Sequence, residues 1–142
     1  MAPKVVVDTN VIVGAMINAA GINREVLRAC FTGDARPLIG EPLFLEYEDV
    51  LSRPMMARSP LAQTERRNLL EAFVSMCQWV DVYFGWRPNL PDEGDNHLIE
   101  LAVAGGAAYI VTNNVADIAR GELRFPQIQV MRPVQFIKEV IR

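Results

Sequence analysis

The stretch Val5-Val6-Val7-Asp8-Thr9-Asn10-Val11 decides the fold. Its three consecutive β-branched residues predict a short strand that is buried on both faces, as strands of parallel sheets are. Asp8 ends this strand, and the carboxyl ends of strands are where open α/β sheets bind their ligands. An Asp at a strand-to-helix junction also caps the helix that follows, so this second interpretation of Asp8 stays open.

Apolar runs and helix signals alternate along the rest of the chain. Asn23 is predicted to cap the second helix, and Pro42 is predicted to open the third. The alternation predicts an α/β fold with a mostly parallel central sheet flanked by helices. The predicted strands cover residues 5–7, 37–39, 79–83, 109–111 and 128–130, and the predicted helices cover 10–18, 24–32, 42–52, 61–77, 97–104 and 134–141.

Length and composition bound the class of protein. A chain of 142 residues with 51% hydrophobic residues predicts one globular domain over residues 1–142. The net charge of −3 argues against tight binding of nucleic acid by bulk positive charge, although it does not exclude an enzyme that acts on nucleic acid. Cys30 and Cys77 are predicted to be buried thiols. We expect neither an export leader nor a membrane span, because no charged-then-apolar segment or sufficiently long apolar run occurs in the sequence, and we therefore expect a cytoplasmic protein.

The single histidine, His97, restricts the chemistry that is available. Mechanisms that need two imidazoles are excluded, among them paired-histidine cleavage of RNA and the H-E-x-x-H zinc helix. The sequence also contains neither a glycine-rich phosphate loop nor a G-x-S-x-G nucleophile turn. Carboxylates therefore remain as the catalytic groups, and His97 itself is predicted to lie on a helix surface or to face a loop.

Four acids stand where a site can form. Asp8 and Asp117 follow two predicted strands at their carboxyl ends, and Asp95 precedes the helix over 97–104. Glu46 lies on the flank of the apolar stripe of the helix over 42–52. Each has an ordinary alternative, because Asp95 fits a helix cap as Asp8 does, and Glu46 fits a half-exposed surface acid.

A cluster of these acids needs a counter-charge. At an effective dielectric constant of about 20, two carboxylates about 5 Å apart repel each other by a few kcal/mol. Only Arg120 lies near any of the four acids in the sequence, so a divalent cation with oxygen ligands, Mg²⁺ or Mn²⁺, is the predicted neutraliser. Such a site supports metal-assisted hydrolysis of a phosphodiester bond.

The ordered motifs resemble those of PIN-domain ribonucleases, and the resemblance is closest to the prokaryotic toxins of toxin–antitoxin pairs. It implies a PIN-like, Rossmann-like three-layer fold and Mg²⁺- or Mn²⁺-dependent cleavage of single-stranded RNA. It also implies an acidic site of Asp8, Glu46, Asp95 and a fourth acid, a small antitoxin protein as partner and, at the level of the family, a homodimer. The segments that carry it are residues 5–11, Glu46-Tyr47 with Val50-Leu51, residues 95–102 and residues 109–117.

The fourth acid departs from the common pattern of this family. Many members have Asp where Asn114 stands, so Asp117 is left to supply the charge on that side. An amide oxygen can coordinate a metal but brings no charge, and the number of metal ions therefore stays open. Thr9 is predicted to orient Asp8 or a water, Asn10 to tie down the turn, and Thr112 to support the metal ligands.

Basic residues point less clearly to function. Arg24 with Arg28 and Arg66 with Arg67 are pairs on predicted helices, where such charges usually face solvent, and whether they contact RNA stays open. Removing the four proposed acids changes the net charge from −3 to +1, which predicts modest affinity for RNA.

Three other functions compete with the nuclease interpretation. Phosphoryl-transfer enzymes that resemble haloacid dehalogenases need a second Asp where Asn10 stands. Receiver-type phosphoacceptor modules need a well-placed lysine, and only Lys4 and Lys138 are present. A non-catalytic PIN-fold module that only binds a partner stays open because of Asn114.

Overall fold

The computed structural model describes residues 2–18, 21–82, 96–118 and 125–141, with the backbone alone at Asn96 and Asp117. A short 3₁₀ helix lies over Pro54–Arg58. The strands are β1 (Lys4–Val7), β2 (Arg36–Ile39), β3 (Gln78–Trp79), β4 (Tyr109–Val111) and β5 (Gln129–Met131). The helices are α1 (Thr9–Ile17), α2 (Ile22–Phe31), α3 (Glu41–Val50), α4 (Gln63–Met76), α5 (Asn96–Gly105), α6 (Val115–Ile118) and α7 (Pro133–Val140).

The five described strands form one parallel sheet in the order β3-β2-β1-β4-β5. β1 occupies the centre, and its residues Val5, Val6 and Val7 are fully buried, as the run of valines predicted. Helix α5 packs against β1, β2 and β4, while α7 packs against β4 and α2. The predicted three-layer α/β fold is therefore confirmed.

Parallel pairing carries the ends of the central strands to the same edge of the sheet. The ladder continues one residue past β1, because the N–H of Asp8 donates to the carbonyl of Val111 at 2.9 Å. Thr112, the residue after β4, extends the ladder in the same way by donating its N–H to Met131 at 3.0 Å. Asp8 and Thr112 consequently lie side by side at the carboxyl edge.

Most predicted elements are present with small shifts at their ends, and three details differ. The strand predicted over 79–83 is the two-residue edge strand β3, and Tyr83 lies outside the described residues. Neither the 3₁₀ helix nor α6 was predicted. Each is too short, at five and four residues, to show a clear helical period.

The prediction that Asn23 caps the second helix is wrong. Gly21 is the N-cap of α2, and Asn23 lies within the first turn of the helix. Its side chain packs so closely on α1 that a Cβ added at Gly14 would come within 2.2 Å of Asn23 Nδ2. The small residue at Gly14 therefore lets α2 approach α1, and the Asn23 amide is used for tertiary contacts.

The core covers the central strands and the inner faces of the helices. Cys30 is buried there, and burial raises the pKa of its thiol to about 12, whereas Cys77 is only partly buried. The fully buried Tyr47 joins α3 to the sheet, because its hydroxyl donates to the carbonyl of Val7. Among the described residues, no helix is long and apolar enough to cross a membrane.

We expect Tyr47→Phe to lower the free energy of unfolding by about 1–2 kcal/mol, because the Val7 carbonyl loses a buried donor. Urea unfolding of both proteins measures this difference. Tyr109→Phe is the matched control, since the ring of Tyr109 packs on Phe136 and its hydroxyl forms no hydrogen bond within the described residues. Equal losses in the two variants would show that the bond from Tyr47 to Val7 does not anchor α3.

Candidate active site

Asp8 is a buried acid whose two oxygens are held by different elements. One oxygen, Oδ1, accepts the N–H of Thr9 at 2.7 Å and so caps α1. The other, Oδ2, accepts the Thr112 hydroxyl at 2.7 Å and the Asn10 amide at 3.3 Å. The interpretation of Asp8 as a helix cap is therefore confirmed. A carboxylate has about four acceptor positions, so these three bonds leave room for a further ligand.

The environment of Asp8 opposes its negative charge. Asp8 is only 7% exposed, and this burial raises the pKa of its carboxyl group. Bonds from Thr112 and Thr9 act in the opposite direction but do not cancel the effect of burial, and the nearby charge of Glu46 raises the pKa further. Within the described ranges, no Lys or Arg forms an ion pair with Asp8.

Glu46 lies on α3, and its two oxygens are also held by different elements. Its Oε1 accepts the Thr9 hydroxyl at 2.7 Å, and its Oε2 lies 2.8 Å from Nε2 of His97 on α5. These bonds, the one from His97 first, hold the pKa of the Glu46 carboxyl below its usual range despite partial burial. An ionised carboxylate only accepts hydrogen bonds, so Nε2 of His97 is the donor in this contact.

The structure adds a contact at Thr9 and places His97 differently from the sequence prediction. Thr9 lies between the two acids, because its N–H donates to Asp8 and its hydroxyl donates to Glu46, a partner that the sequence did not predict. The side chain of His97 is 16% exposed and faces Glu46, so the prediction of a surface or loop-facing histidine is wrong. Because 51 residues separate His97 from Glu46, no local spacing reveals this pair.

Asparagine amides extend the network around Asp8. Asn10 donates to Oγ1 of Thr112 at 3.2 Å and accepts the N–H of Asn113 at 3.1 Å. Asn113 in turn donates its amide to Asn23 on α2 at 3.0 Å. These bonds agree with the predicted role of Asn10 in tying down the turn, because they join the start of α1 to the segment after β4. Sequence reasoning missed Asn23 and Asn113 as members of this network.

Within the described residues, two of the four predicted acids, Asp8 and Glu46, lie together at one edge of the sheet. Asp95 lies outside the described residues, and the side chain of Asp117, on α6, is not described. Asn114 is exposed after β4, where its N–H donates to the Thr112 hydroxyl at 2.9 Å. In the described part of the chain, no three His, Cys, Asp or Glu side chains are grouped closely enough to hold a metal ion.

The donor chemistry at this edge fits a hard divalent cation. Asp8 and Glu46 offer carboxylate oxygens, the residues around Asp8 offer hydroxyl and amide groups, and the His97 imidazole bonds to the carboxylate of Glu46. Mg²⁺ and Mn²⁺ prefer such oxygen ligands, and a cation would offset the charge that burial disfavours at Asp8.

The four arginines that were candidates for RNA contacts have partners within the protein. Arg24 donates from two nitrogens to the carbonyl of Ala15, and Arg66 donates to Leu61. The other two pair with acids, Arg28 with Glu25 and Arg67 with Glu48.

A cleft of about 480 Å³ opens between α3, α5 and the end of β3. His97 lines this cleft and also contacts Glu46, so it belongs to both features. The other lining residues are Gly40, Glu41, Pro42, Leu43, Leu45, Trp79, Val80, Asp81, Val82, Glu100 and Leu101.

The PIN domain family profile matches residues 4–116 of this chain, a span that contains Asp8, Glu46, Asp95 and Asn114. This chain belongs to the PIN-domain family. Enzymes of this family are in general nucleases that use divalent metal ions. The resemblance inferred from the sequence motifs is therefore confirmed at the level of the family.

Solved structures support the same fold. The chain is similar to one in a structure described as VapBC2 from Rickettsia felis bound to a DNA fragment from their promoter, with a TM-score of 0.56. The two chains are 17% identical, and the match covers 91% of this chain and 98% of the other. A search of curated protein sequences gives no match.

We expect the melting temperature of Asp8→Asn, relative to that of the parent protein in EDTA, to rise as the pH is raised from 4 to 8. The raised pKa of Asp8 means that its ionised form is less favourable in the folded than in the unfolded state, so removing the charge is stabilising at pH 7. The Asn amide can accept the capping bond, but it does not replace the oxygen that accepts from Thr112 and Asn10, and this loss is the same at every pH. This stabilisation should shrink as the pH falls toward 3.8, the ordinary pKa of an Asp side chain, because the unfolded acid then also takes up its proton. Thermal melts between pH 4 and pH 8 measure it.

Asp34→Asn is the control for this series, because Asp34 is an exposed acid after α2. Its melting temperature should stay close to that of the parent across the range. A variant at Asp8 that melts below the parent at pH 7, by a margin that grows with pH, would contradict the assigned effect of burial.

Proposed function

We propose that this chain is a Mg²⁺- or Mn²⁺-dependent endoribonuclease that cleaves single-stranded RNA, and that it is the toxin of a toxin–antitoxin pair. The observation that carries the proposal is the buried carboxylate of Asp8, fixed at the carboxyl edge of the sheet and joined to Glu46 through Thr9. Burying an ionised acid without a basic partner is energetically unfavourable, and acids of this kind are concentrated at functional sites. Membership of a nuclease family gives this acid a role.

The proposed metal ligands are Asp8 and Glu46, with Asp95 and Asp117 as the further predicted ligands. When bound, Mg²⁺ or Mn²⁺ would polarise the phosphate and lower the pKa of an attacking water. The protein would contribute orientation, because the hydroxyls of Thr9 and Thr112 hold one oxygen of each described carboxylate. Asn114 adds no charge, so the number of metal ions follows from whether Asp117 serves as a ligand.

Hydrolysis by water suits the residues of this chain better than attack by the RNA 2′-hydroxyl. The latter route commonly relies on two imidazoles as base and acid, and this chain has one histidine. Nε2 of that histidine is hydrogen-bonded to Glu46, so this nitrogen is occupied. A carboxylate site therefore remains the means by which this chain would cleave a phosphodiester bond.

The toxin role is supported by the motifs shared with prokaryotic PIN toxins and by the fold likeness to VapBC2 from Rickettsia felis. It implies a small antitoxin that covers the acidic edge, with an Arg placed among the carboxylates. A homodimer, a single domain over residues 1–142 and a cytoplasmic location remain predictions of the same proposal. The alternative, a PIN-fold module that binds a partner without catalysis, is favoured by Asn114 alone.

We expect the parent to cleave a fluorogenic single-stranded RNA with Mg²⁺ or Mn²⁺ and to lose this activity in EDTA. Asp8→Asn and Glu46→Gln should each lower kcat by about 100-fold or more, because each removes a charge from the metal site. Glu48→Gln is the matched control, since Glu48 is on the same helix but pairs with Arg67. A folded parent that is inactive with both metals would favour the partner-binding module.

The toxin role has a separate test in cells. Production of the chain alone should slow growth, and co-production of the small protein encoded beside it should relieve the effect. Asp8→Asn, produced at the same level, should not slow growth if the toxicity comes from RNA cleavage. Normal growth with active nuclease present would contradict the toxin role and leave the nuclease proposal in place.

A further inference from the structure

The two carboxylate oxygens of Glu46 are each hydrogen-bonded by a residue of a different helix. Thr9, at the start of α1, donates to Oε1 at 2.7 Å, and His97, in the first turn of α5, contacts Oε2 at 2.8 Å. We propose that His97 is a positioning residue that fixes the Glu46 carboxylate and thereby sets the metal affinity of the site. This inference rests on the proposed function, because it assigns Glu46 as a metal ligand.

The carboxylate of Glu46 depends on these hydrogen bonds for its orientation more than the carboxylate of Asp8 does. The side chain of Glu46 is longer and 40% exposed, so without bonds to both oxygens its carboxylate would turn freely in water. Asp8 is held by its own helix cap and by Thr112. A long, half-exposed side chain becomes a precise ligand only when other residues orient it, as outer-shell partners do for metal ligands in general.

His97 is the group that provides this orientation on the α5 side. Arg53, the cation whose charge also lowers the pKa of Glu46, bonds to Asp49 instead, with its Nε and Nη2 each 3.0 Å from Oδ2 of Asp49. The imidazole is a rigid donor, and it is largely buried between α3 and α5. A rigid, buried donor can hold a carboxylate in one direction, which a flexible surface arginine cannot do as well.

The second nitrogen of His97 shows that packing alone does not account for the residue. Nδ1 is buried, and it has no hydrogen-bond partner within the described part of the chain. An unpaired buried polar atom destabilises a protein, so an apolar side chain would suit this position better if it served only the core. The bond from Nε2 to Glu46 is the benefit that offsets this cost.

Variants of His97 separate a hydrogen-bonding role from a packing role. In His97→Leu the donor is absent, whereas His97→Gln keeps an amide nitrogen three bonds from Cβ, the same separation as Nε2 of the imidazole. Should His97→Leu fail to fold, His97→Asn replaces it, because its amide is one bond shorter and cannot reach Glu46. Glu100→Gln is the matched control, since Glu100 lies one turn further along α5 and lines the same cleft.

The readouts are the affinity for Mn²⁺ without substrate, by calorimetry, and the kcat and KM for single-stranded RNA. We expect His97→Leu to weaken Mn²⁺ binding and to lower kcat, each by about 10- to 100-fold, with KM for RNA unchanged. His97→Gln should recover most of both losses, and Glu100→Gln should match the parent.

Three results would overturn the assignment of His97 while the proposed function stands. In the first, the parent binds Mn²⁺ and cleaves RNA, and His97→Leu does so equally well. In the second, His97→Leu lowers only the melting temperature, which marks a purely structural role. In the third, His97→Gln is as impaired as His97→Leu, so the donated hydrogen bond is not the cause. A folded parent that neither binds Mn²⁺ nor cleaves RNA would overturn both proposals together.

Discussion

The carboxylate of Asp8 is buried at the end of the central strand, and this constraint explains why the residues around it are hydrogen-bond donors. Removal from water disfavours the carboxylate, and its pKa is raised as a result. Thr9, Thr112 and Asn10 each bring a donor to one of its oxygens. Two of these donors come from the start of α1 and one from the end of β4, so the site exists only when the parallel ladder between β1 and β4 is formed.

Polar groups that oppose stability gather at this one edge. Asp8 is a buried acid whose ionised form is disfavoured, and Nδ1 of His97 is buried without a partner among the described residues. The central valines of β1 and the apolar faces of the helices supply the burial that lets the fold tolerate both. A local conflict with stability, surrounded by an ordinary core, is typical of a functional site rather than of a packing error.

Local patterns predicted much of the fold and less of the site. The β-branched run at Val5–Val7 and the strand at Tyr109–Val111 identified two adjacent strands, because burial on both faces selects such residues. The predictions for Asn23 and His97 were wrong because the contacts of these residues are not local in sequence. Their partners, Asn113 and Glu46, lie 90 and 51 residues away, so only the folded chain brings these side chains together. Short segments such as α6 escaped because a single turn has no measurable period.

The cap and ligand interpretations of Asp8 are compatible, because they use different oxygens. Oδ1 accepts the first free N–H of α1, where the partial positive charge of the helix terminus stabilises an anion. This bond fixes the side-chain torsion and directs Oδ2 toward Thr112 at the neighbouring strand end. A carboxylate held in this way keeps its direction before any cation arrives, so less ordering is left to occur on binding. The helix cap is therefore the means by which the fold prepares Asp8 as a ligand.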